Sequence, residues 1–254
     1  MAGRYDRAVT IYSPDGHLLQ VEYAQEAVRK GSTVIGLCTT NSIVLGMEKK
    51  NVNTLQEERT VRKICMLDDH VVMTFAGLTA DARIIVSRAQ AEAQSHRLNF
   101  EKPVSVEYIT RFIAQMKQKY TQSNGRRPFG LSCLVGGFDE DGTPHLFQTE
   151  PSGIFYEWKA SGTGRSGALA RAHMEKHADE ILASADKPMA TLKHVVRTLV
   201  SSATLNQNQL EVAVLEHKQP LRMIDHQVVA DLVRDVHLEM EEEVKQRTRK
   251  TPRP

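Results

Sequence analysis

The run Lys30-Gly31-Ser32-Thr33-Val34-Ile35-Gly36-Leu37 places a glycine before two hydroxyl residues and an apolar, β-rich stretch. Cleavage between Gly31 and Ser32 would free the Ser32 α-amine. A terminal hydroxyl residue carrying its own amine is a nucleophile with a built-in base. Left uncut, the same junction is only the start of a buried strand, and the residues ahead of it serve another purpose.

The elements around the junction decide how it is held. Ser13-Pro14-Asp15-Gly16 reads as a turn, with Pro14 presetting φ and Gly16 free to take a positive one. His17 to Arg29 reads as a short helix with Leu18, Val21, Ala24 and Val28 at three- and four-residue steps. Its apolar residues Leu18, Val21 and Val28 are expected to be buried between subunits. Thr33 to Thr40 and Ile43 to Glu48 form a predicted hairpin around Asn41-Ser42, and Lys63 to Leu67 and Val71 to Phe75 another around Asp68-Asp69. Thr79 is the expected cap of a helix from Ala80 to about Leu98. Beyond Pro103, Ser105 caps a second, striped by Ile109, Phe112, Ile113, Met116 and Tyr120. Strands follow at Gly130 to Phe138, His145 to Thr149 and Ile154 to Lys159. Helices then span Arg165 to Leu182 and Pro188 to Ala203. Leu210 to Leu215 is the last long strand, and Val228 to Val244 the last amphipathic helix. Strands and helix pairs in this order imply two stacked sheets with helices outside, one α+β domain over residues 1–240. Residues 241–254 form a charged tail.

Composition removes several function classes. The chain has 254 residues, 41% hydrophobic and 25% charged, an ordinary balance for a globular protein. Lys and Arg total 33 against 31 Asp and Glu, so no strong basic excess points to nucleic acid. Cys38, Cys65 and Cys133 lie far apart, without metal-ligand spacing, and their sparse, odd count suits a reducing compartment. No apolar run approaches the roughly 18 residues of a membrane span. The N-terminus lacks the apolar core of a secretion signal. The expectation is a protein of the cytoplasm and nucleus with no metal, cofactor, nucleic acid or membrane partner. The basic tail residues Lys245, Arg247, Arg249, Lys250 and Arg253 suit either nuclear import or a solubilising tail.

Several motifs together carry a resemblance. Tyr5-Asp6-Arg7, Ser13-Pro14-Asp15-Gly16, Gln20-Val21-Glu22-Tyr23-Ala24 and Gly31-Ser32-Thr33 stand in order, followed by Phe75-Ala76-Gly77-Leu78, Asp81-Ala82-Arg83 and Arg127-Pro128-Phe129-Gly130. In this the chain resembles the α-type subunits of the 20S proteasome, from its first ten residues to about residue 240. The residues at Thr39-Thr40 and Ser161-Gly162-Thr163 depart from the family's usual ones. The resemblance implies the N-terminal-nucleophile hydrolase fold, a four-layer αββα sandwich of two antiparallel sheets with an added N-terminal helix, and a gate tail and helix in residues 1–31.

The resemblance also assigns roles. Against the catalytic β-type relatives, Ser32 falls at the nucleophile, Glu48 at the aspartate and Lys63 at the catalytic lysine. Glu48 is a methylene longer than aspartate, and in α-type subunits the leader is retained, which leaves these positions vestigial. The implied function is structural: a place in a seven-membered α ring that caps the β-ring subunits and controls substrate entry. Tyr5, Asp6, Pro14 and Tyr23 match the cluster that holds the N-terminal tails in an open-gate arrangement. Lys63, Gly77 and Leu78 match a pocket that takes the C-terminal tails of regulatory-particle ATPases or other activators. Ser123, Asn124, Gly125 and Arg126 match the rim of the entry channel. Two other readings stay open: a self-processing hydrolase using Ser32, and a free-standing adaptor.

Overall fold

Alternating and continuous apolar runs become strands where they are buried on both faces. The computed structural model describes residues 8–49, 55, 57, 60–183, 187–202 and 210–250, with side chains of the last helix described to residue 242. Helix α1 spans Leu19–Arg29, followed by strands β1 (Val34–Cys38), β2 (Ser42–Glu48), β3 (Ile64–Asp68) and β4 (Val71–Gly77). Helices α2 (Thr79–Phe100) and α3 (Val106–Thr121) come next, then strands β5 (Leu131–Phe138), β6 (Pro144–Thr149), β7 (Phe155–Glu157) and β8 (Ala160–Thr163). Helices α4 (Gly167–Lys176), α5 (Ala178–Ala183) and α6 (Pro188–Ser202) precede strands β9 (Leu210–Glu216) and β10 (Arg222–Met223), and α7 (His226–Lys250) closes the order.

Among the described residues these strands form two five-stranded antiparallel sheets, ordered β10-β9-β2-β1-β8 and β3-β4-β5-β6-β7. Three apolar clusters define the layers. Ile43, Leu45, Val72, Leu134, Leu146 and Ala213 meet between the sheets. Ile85, Ala89, Ile109 and Ile113 of α2 and α3 cover the second sheet. Met174, Val195, Leu199 and Val233 of α4, α6 and α7 cover the first. The result is the expected αββα sandwich. Each fully buried aliphatic side chain contributes roughly 1.5–3 kcal/mol, so the stripe Ile109, Ile113 and Met116 is sufficient to fix the face α3 presents.

Local signals explain most boundaries. The Ser105 hydroxyl accepts the Tyr108 N–H at 3.3 Å and caps α3 as expected. Thr79 does not cap α2: Leu78 holds the cap position in extended backbone without a side-chain bond, and Thr79 is the first helical residue. The expected helix over 165–182 is two, since the chain breaks at His177 (φ −110°, ψ 21°). Strand β8 was not anticipated. Its Ala-Ser-Gly-Thr sequence has no apolar alternation, yet it pairs with β1 from Val34↔Thr163 to Leu37↔Ala160. Helix α7 continues to Lys250, past the expected end at Val244.

Helix α1 corrects a further expectation. Val21, Ala24 and Val28 are buried within the chain itself, where α1 packs on β4 and β5, and Leu18 is half-buried. The apolar stripe therefore seats α1 on its own sandwich rather than waiting for a neighbouring subunit.

At the end of α4 the rings of His173 and His177 stack at 4.4 Å, and His173 Nδ1 lies 3.2 Å from the hydroxyl of Thr198 on α6. Burial, then the nearby His177, Arg197, Lys176 and His194, pushes the His173 imidazole down to about 4. Below the ordinary histidine value of about 6.5 the unfolded chain takes up this proton before the folded one does. Stability should therefore fall as pH drops from about 6.5 toward about 4. Urea unfolding of the purified chain at about pH 7 and about pH 5 should show a smaller loss in His173→Gln than in the parent; equal losses would exclude His173 as the source.

Candidate functional site

The Gly31-Ser32 junction is wound onto the end of α1. The Gly31 N–H bonds to Val28 O at 2.8 Å, and Gly31 O accepts the Arg165 N–H at 3.0 Å. Ser32 is 1% exposed, and its hydroxyl has no hydrogen-bond partner among the described residues. Backbone crowds it closely: a Cβ on Gly164 would stand 2.4 Å from Ser32 O. In an uncut chain the Ser32 nitrogen is an amide and cannot act as a base.

Glu48 lies across from the junction at the end of β2, with its N–H on Thr33 O at 2.8 Å. Its carboxylate, 6% exposed, accepts the Thr33 N–H at 3.2 Å and pairs with the Arg165 guanidinium. The carboxylate thus ties β2 to β1 and to the segment before α4. Lys63 precedes β3 and is 8% exposed, its ammonium 5.9 Å from the centre of the Phe75 ring.

Gly77 and Leu78 join β4 to α2. Gly77 has a φ of +122°, and a Cβ there would stand 2.2 Å from Gly130 O. The side-chain-free face of Gly77 is therefore filled by the chain's own backbone rather than left open. Leu78 is 45% exposed, and its N–H bonds to Gly130 O at 3.0 Å. Beside Phe75 a cleft of about 150 Å³ is lined in part by Arg62, Cys65, Thr79 and Arg83. Burial pushes the Cys65 thiol up, against the opposing pull of Arg62 and Arg83.

Of the expected gate residues, Tyr5 and Asp6 lie outside the described residues. Pro14 sits exposed in a tight turn in which Gly16 N–H bonds Ser13 O at 2.9 Å, and Ser13 N–H bonds His17 O at 2.9 Å. Tyr23, within α1, is 47% exposed. The expected rim loop is anchored at both ends: the Ser123 hydroxyl bonds Lys119 O at 2.7 Å, and the Arg126 guanidinium lies 4.8 Å from the Tyr120 ring. Gly125 turns the loop with a φ of +74°. The Thr10 hydroxyl bonds the Asn124 side-chain oxygen at 3.2 Å, so the N-terminal segment meets the loop after α3.

A family model for the proteasome subunit matches residues 28–215, and one for the N-terminal signature of the proteasome's α-type subunits matches residues 5–27. The chain belongs to the proteasome α-type subunit family. It is 77% identical to proteasome subunit alpha type-7-1B of Drosophila melanogaster over 243 residues, covering 96% of each chain. It is 62% identical to proteasome subunit alpha type-7-1 of the same organism over 251 residues, covering 98% of this chain and all of the other. Proteasome subunit alpha type-8 of Mus musculus is 54% identical over 251 residues, 99% of this chain and all of the other. As an α-type subunit the protein assembles with other proteasome subunits.

Three polar groups of this α-type subunit escaped the sequence reading. Asp81, in the first turn of α2, receives both Arg127 guanidinium nitrogens at 2.6 Å and the Gly130 N–H at 3.0 Å. Burial works to raise the Asp81 carboxyl, but these bonds outweigh it and hold it below the usual range. Both residues lie in the motifs quoted above, though nothing in those motifs announced that they pair. Arg165 caps Glu48 from 117 residues away. Lys117, on the buried face of α3, is completely enclosed, with Nζ on Leu131 O and Thr149 O at 3.2 Å each, Thr149 Oγ1 at 2.5 Å and Cys133 Sγ at 3.3 Å. A lysine on an apolar helix face is the only trace it leaves in sequence.

Proposed function

We propose that this chain is a non-catalytic structural and gating subunit in the seven-membered α ring of the 20S proteasome. It caps the β ring, controls substrate entry in the cytoplasm and nucleus, and docks activators for ubiquitin-dependent and ubiquitin-independent degradation. The observation that carries this reading is helix α1. The segment ahead of Ser32 is a packed element, with Val21, Ala24 and Val28 buried on the sandwich, rather than a disposable leader. Retaining it keeps Ser32 without a free amine. Tyr5, Asp6, Pro14 and Tyr23 would then hold the tail, Ser123 to Arg126 the channel rim, and Lys63 with Gly77 and Leu78 the carboxylate-ended tail of a regulatory-particle ATPase.

The test has two arms on particles purified with this chain in place. Intact-mass measurement should find the α1 segment still attached; a chain beginning at Ser32 would instead support the hydrolase. In the second arm, Lys63→Ala should weaken activator binding at this pocket while basal peptide hydrolysis by the β subunits stays unchanged. Loss of a charge-assisted bond, roughly 1.5–3 kcal/mol, corresponds to about a tenfold to hundredfold loss of affinity at that one site. The other pockets of the ring should dilute this in the whole particle. Unchanged activator affinity with abolished basal turnover would place Lys63 in a live active site.

A further inference from the structure

The apolar layer under α3 encloses an amine beside a thiol, and the proposed function uses neither. Cys133 of β5 and Thr149 of β6 are register partners. Lys117 reaches down from α3 over this pair, with Nζ 3.3 Å from Cys133 Sγ and 2.5 Å from Thr149 Oγ1. The carbonyls of Leu131 and Thr149 take two further contacts at 3.2 Å each. Lys117 and Cys133 are both 0% exposed, and Ile113 and Phe147 belong to the same apolar layer.

These surroundings favour a neutral amine. Two carbonyls, a hydroxyl and a thiol are uncharged in their ordinary forms, and burial penalises the ammonium. Burial accordingly pushes the Lys117 amine down, partly opposed by Cys133 and Glu150. A neutral amine has two hydrogens and one lone pair. The two carbonyls suit the two hydrogens, which leaves the lone pair for the side where the Thr149 hydroxyl and the Cys133 sulfur stand.

We propose that Lys117 and Cys133 form an oxidative cross-linking site, in which hydrogen peroxide converts the Cys133 thiol to a sulfenic acid and the Lys117 amine attacks that sulfur to make a nitrogen–sulfur bond. In the first step the peroxide O–O bond breaks. One oxygen becomes the S–OH group, the other leaves as water, and the sulfur loses two electrons. In the second step the amine lone pair forms the N–S bond as the S–O bond breaks, and the departing hydroxide takes an amine proton to leave as water. One peroxide becomes two waters, and the chain is two hydrogens lighter. Sulfenic acids condense with nitrogen in this way. Two molecules of an external thiol reverse the bond, returning amine and thiol and leaving as their own disulfide. While it lasts, the bond ties α3 to β5.

The fold steers the oxidised sulfur to this product. A disulfide with Cys65 is out of reach, because β4 lies between β3 and β5. Two strand spacings of about 4.8 Å exceed the roughly 7 Å between Cα atoms that a disulfide can span. Cys38 belongs to the other sheet. Peroxide, a small oxidant, reaches the enclosed thiol through local openings. The reaction is therefore slow, and a sulfenic acid formed there meets the adjacent amine before a second peroxide.

The test treats the purified full-length chain with hydrogen peroxide well beyond the consumption of Cys38 and Cys65, blocks the remaining thiols and maps the peptides by mass. The parent should give a species joining the Lys117 peptide to the Cys133 peptide, two hydrogens lighter than their sum and released by dithiothreitol. Cys133→Ala and Lys117→Met should each abolish it, and in Lys117→Met the Cys133 sulfur should pass on to sulfinic acid instead. Cys65→Ala should leave it in place. The two abolishing variants remove different atoms, so a folding defect in one leaves the other as the test. The same chain unfolded in urea should not form the bond. Recovery of Cys133 in the parent as free thiol or as sulfinic acid, with Lys117 unmodified, would overturn the proposal. So would a joined species one oxygen heavier, its loss in Cys65→Ala, or an equal yield from the unfolded chain.

Discussion

Gly77→Ala should cost the chain on the order of 3 kcal/mol or more, enough to keep it out of assembled particles. The backbone at Gly77 sits at a φ of +122°, where an L side chain is strained whatever the space around it. Space is also absent: the new Cβ would stand 2.2 Å from Gly130 O and 2.8 Å from Leu131 Cα. Neither atom is the tip of a flexible side chain. Both belong to backbone at the β4–β5 ladder, where Gly77 pairs with Leu131. Gly16→Ala is the matched control. Gly16 also has a positive φ, +81°, but nothing lies within 4 Å of its missing Cβ. It should lose only the conformational part, about 1–2 kcal/mol. Urea unfolding of the two variants decides the matter, and equal losses would mean that the Gly130 contact relaxes freely.

The second large effect belongs to Lys117. Lys117→Ala removes a fully enclosed side chain and leaves Leu131 O without that donor, so a loss of about 3–5 kcal/mol is expected. Thr149 O is less exposed to the change because the Ser132 hydroxyl also bonds it, at 3.0 Å. Lys117→Met should lose much less, about 1–2 kcal/mol, since it fills the same volume and abolishes the cost of enclosing an amine. The two variants also differ from the parent in pH dependence. Burial pushes the Lys117 amine down, partly opposed by Cys133 and Glu150. As pH falls through the ordinary lysine value of about 10.4, the unfolded chain binds this proton first, so the parent loses stability. That loss should be present in the parent and missing in Lys117→Met when unfolding is followed from about pH 10.5 to about pH 8. Identical profiles would exclude titration of Lys117.

The sequence made the layers legible because burial on a regular period is a local property. The stripe of α3 and the apolar runs of β2, β4 and β5 could be read directly, and Ser105 capped as its type suggests. What stayed hidden depends on distant partners. Strand β8 is Ala160-Ser161-Gly162-Thr163, small because α4 packs on it: a Cβ on Gly162 would lie 3.2 Å from Ala170 Cβ. Nothing within those four residues says that β1 lies alongside. The same holds at the candidate site. Ser32 and Glu48 could be placed together by resemblance, but Arg165, which occupies the Glu48 carboxylate, could not. Gly77 could be placed at the end of β4 by resemblance, but its close contact with Gly130 could not.

The two sheets differ in how far apart in the chain their strands lie. The second sheet, β3-β4-β5-β6-β7, has its strands side by side in chain order. As the polypeptide leaves the ribosome, each of its strands can pair with one already present. The first sheet cannot grow that way. Its β1–β2 hairpin emerges early, but its flanking partners β8 and β9 begin only at Ala160 and Leu210. Both edges of this hairpin stay unsatisfied until Ala160 emerges, and the β2 edge until Leu210; β2 is buried along its whole length in the finished protein. Open apolar edges of this kind recruit other chains. The nascent protein therefore carries its greatest aggregation hazard in its first fifty residues, and that hazard ends only when the last long strand arrives.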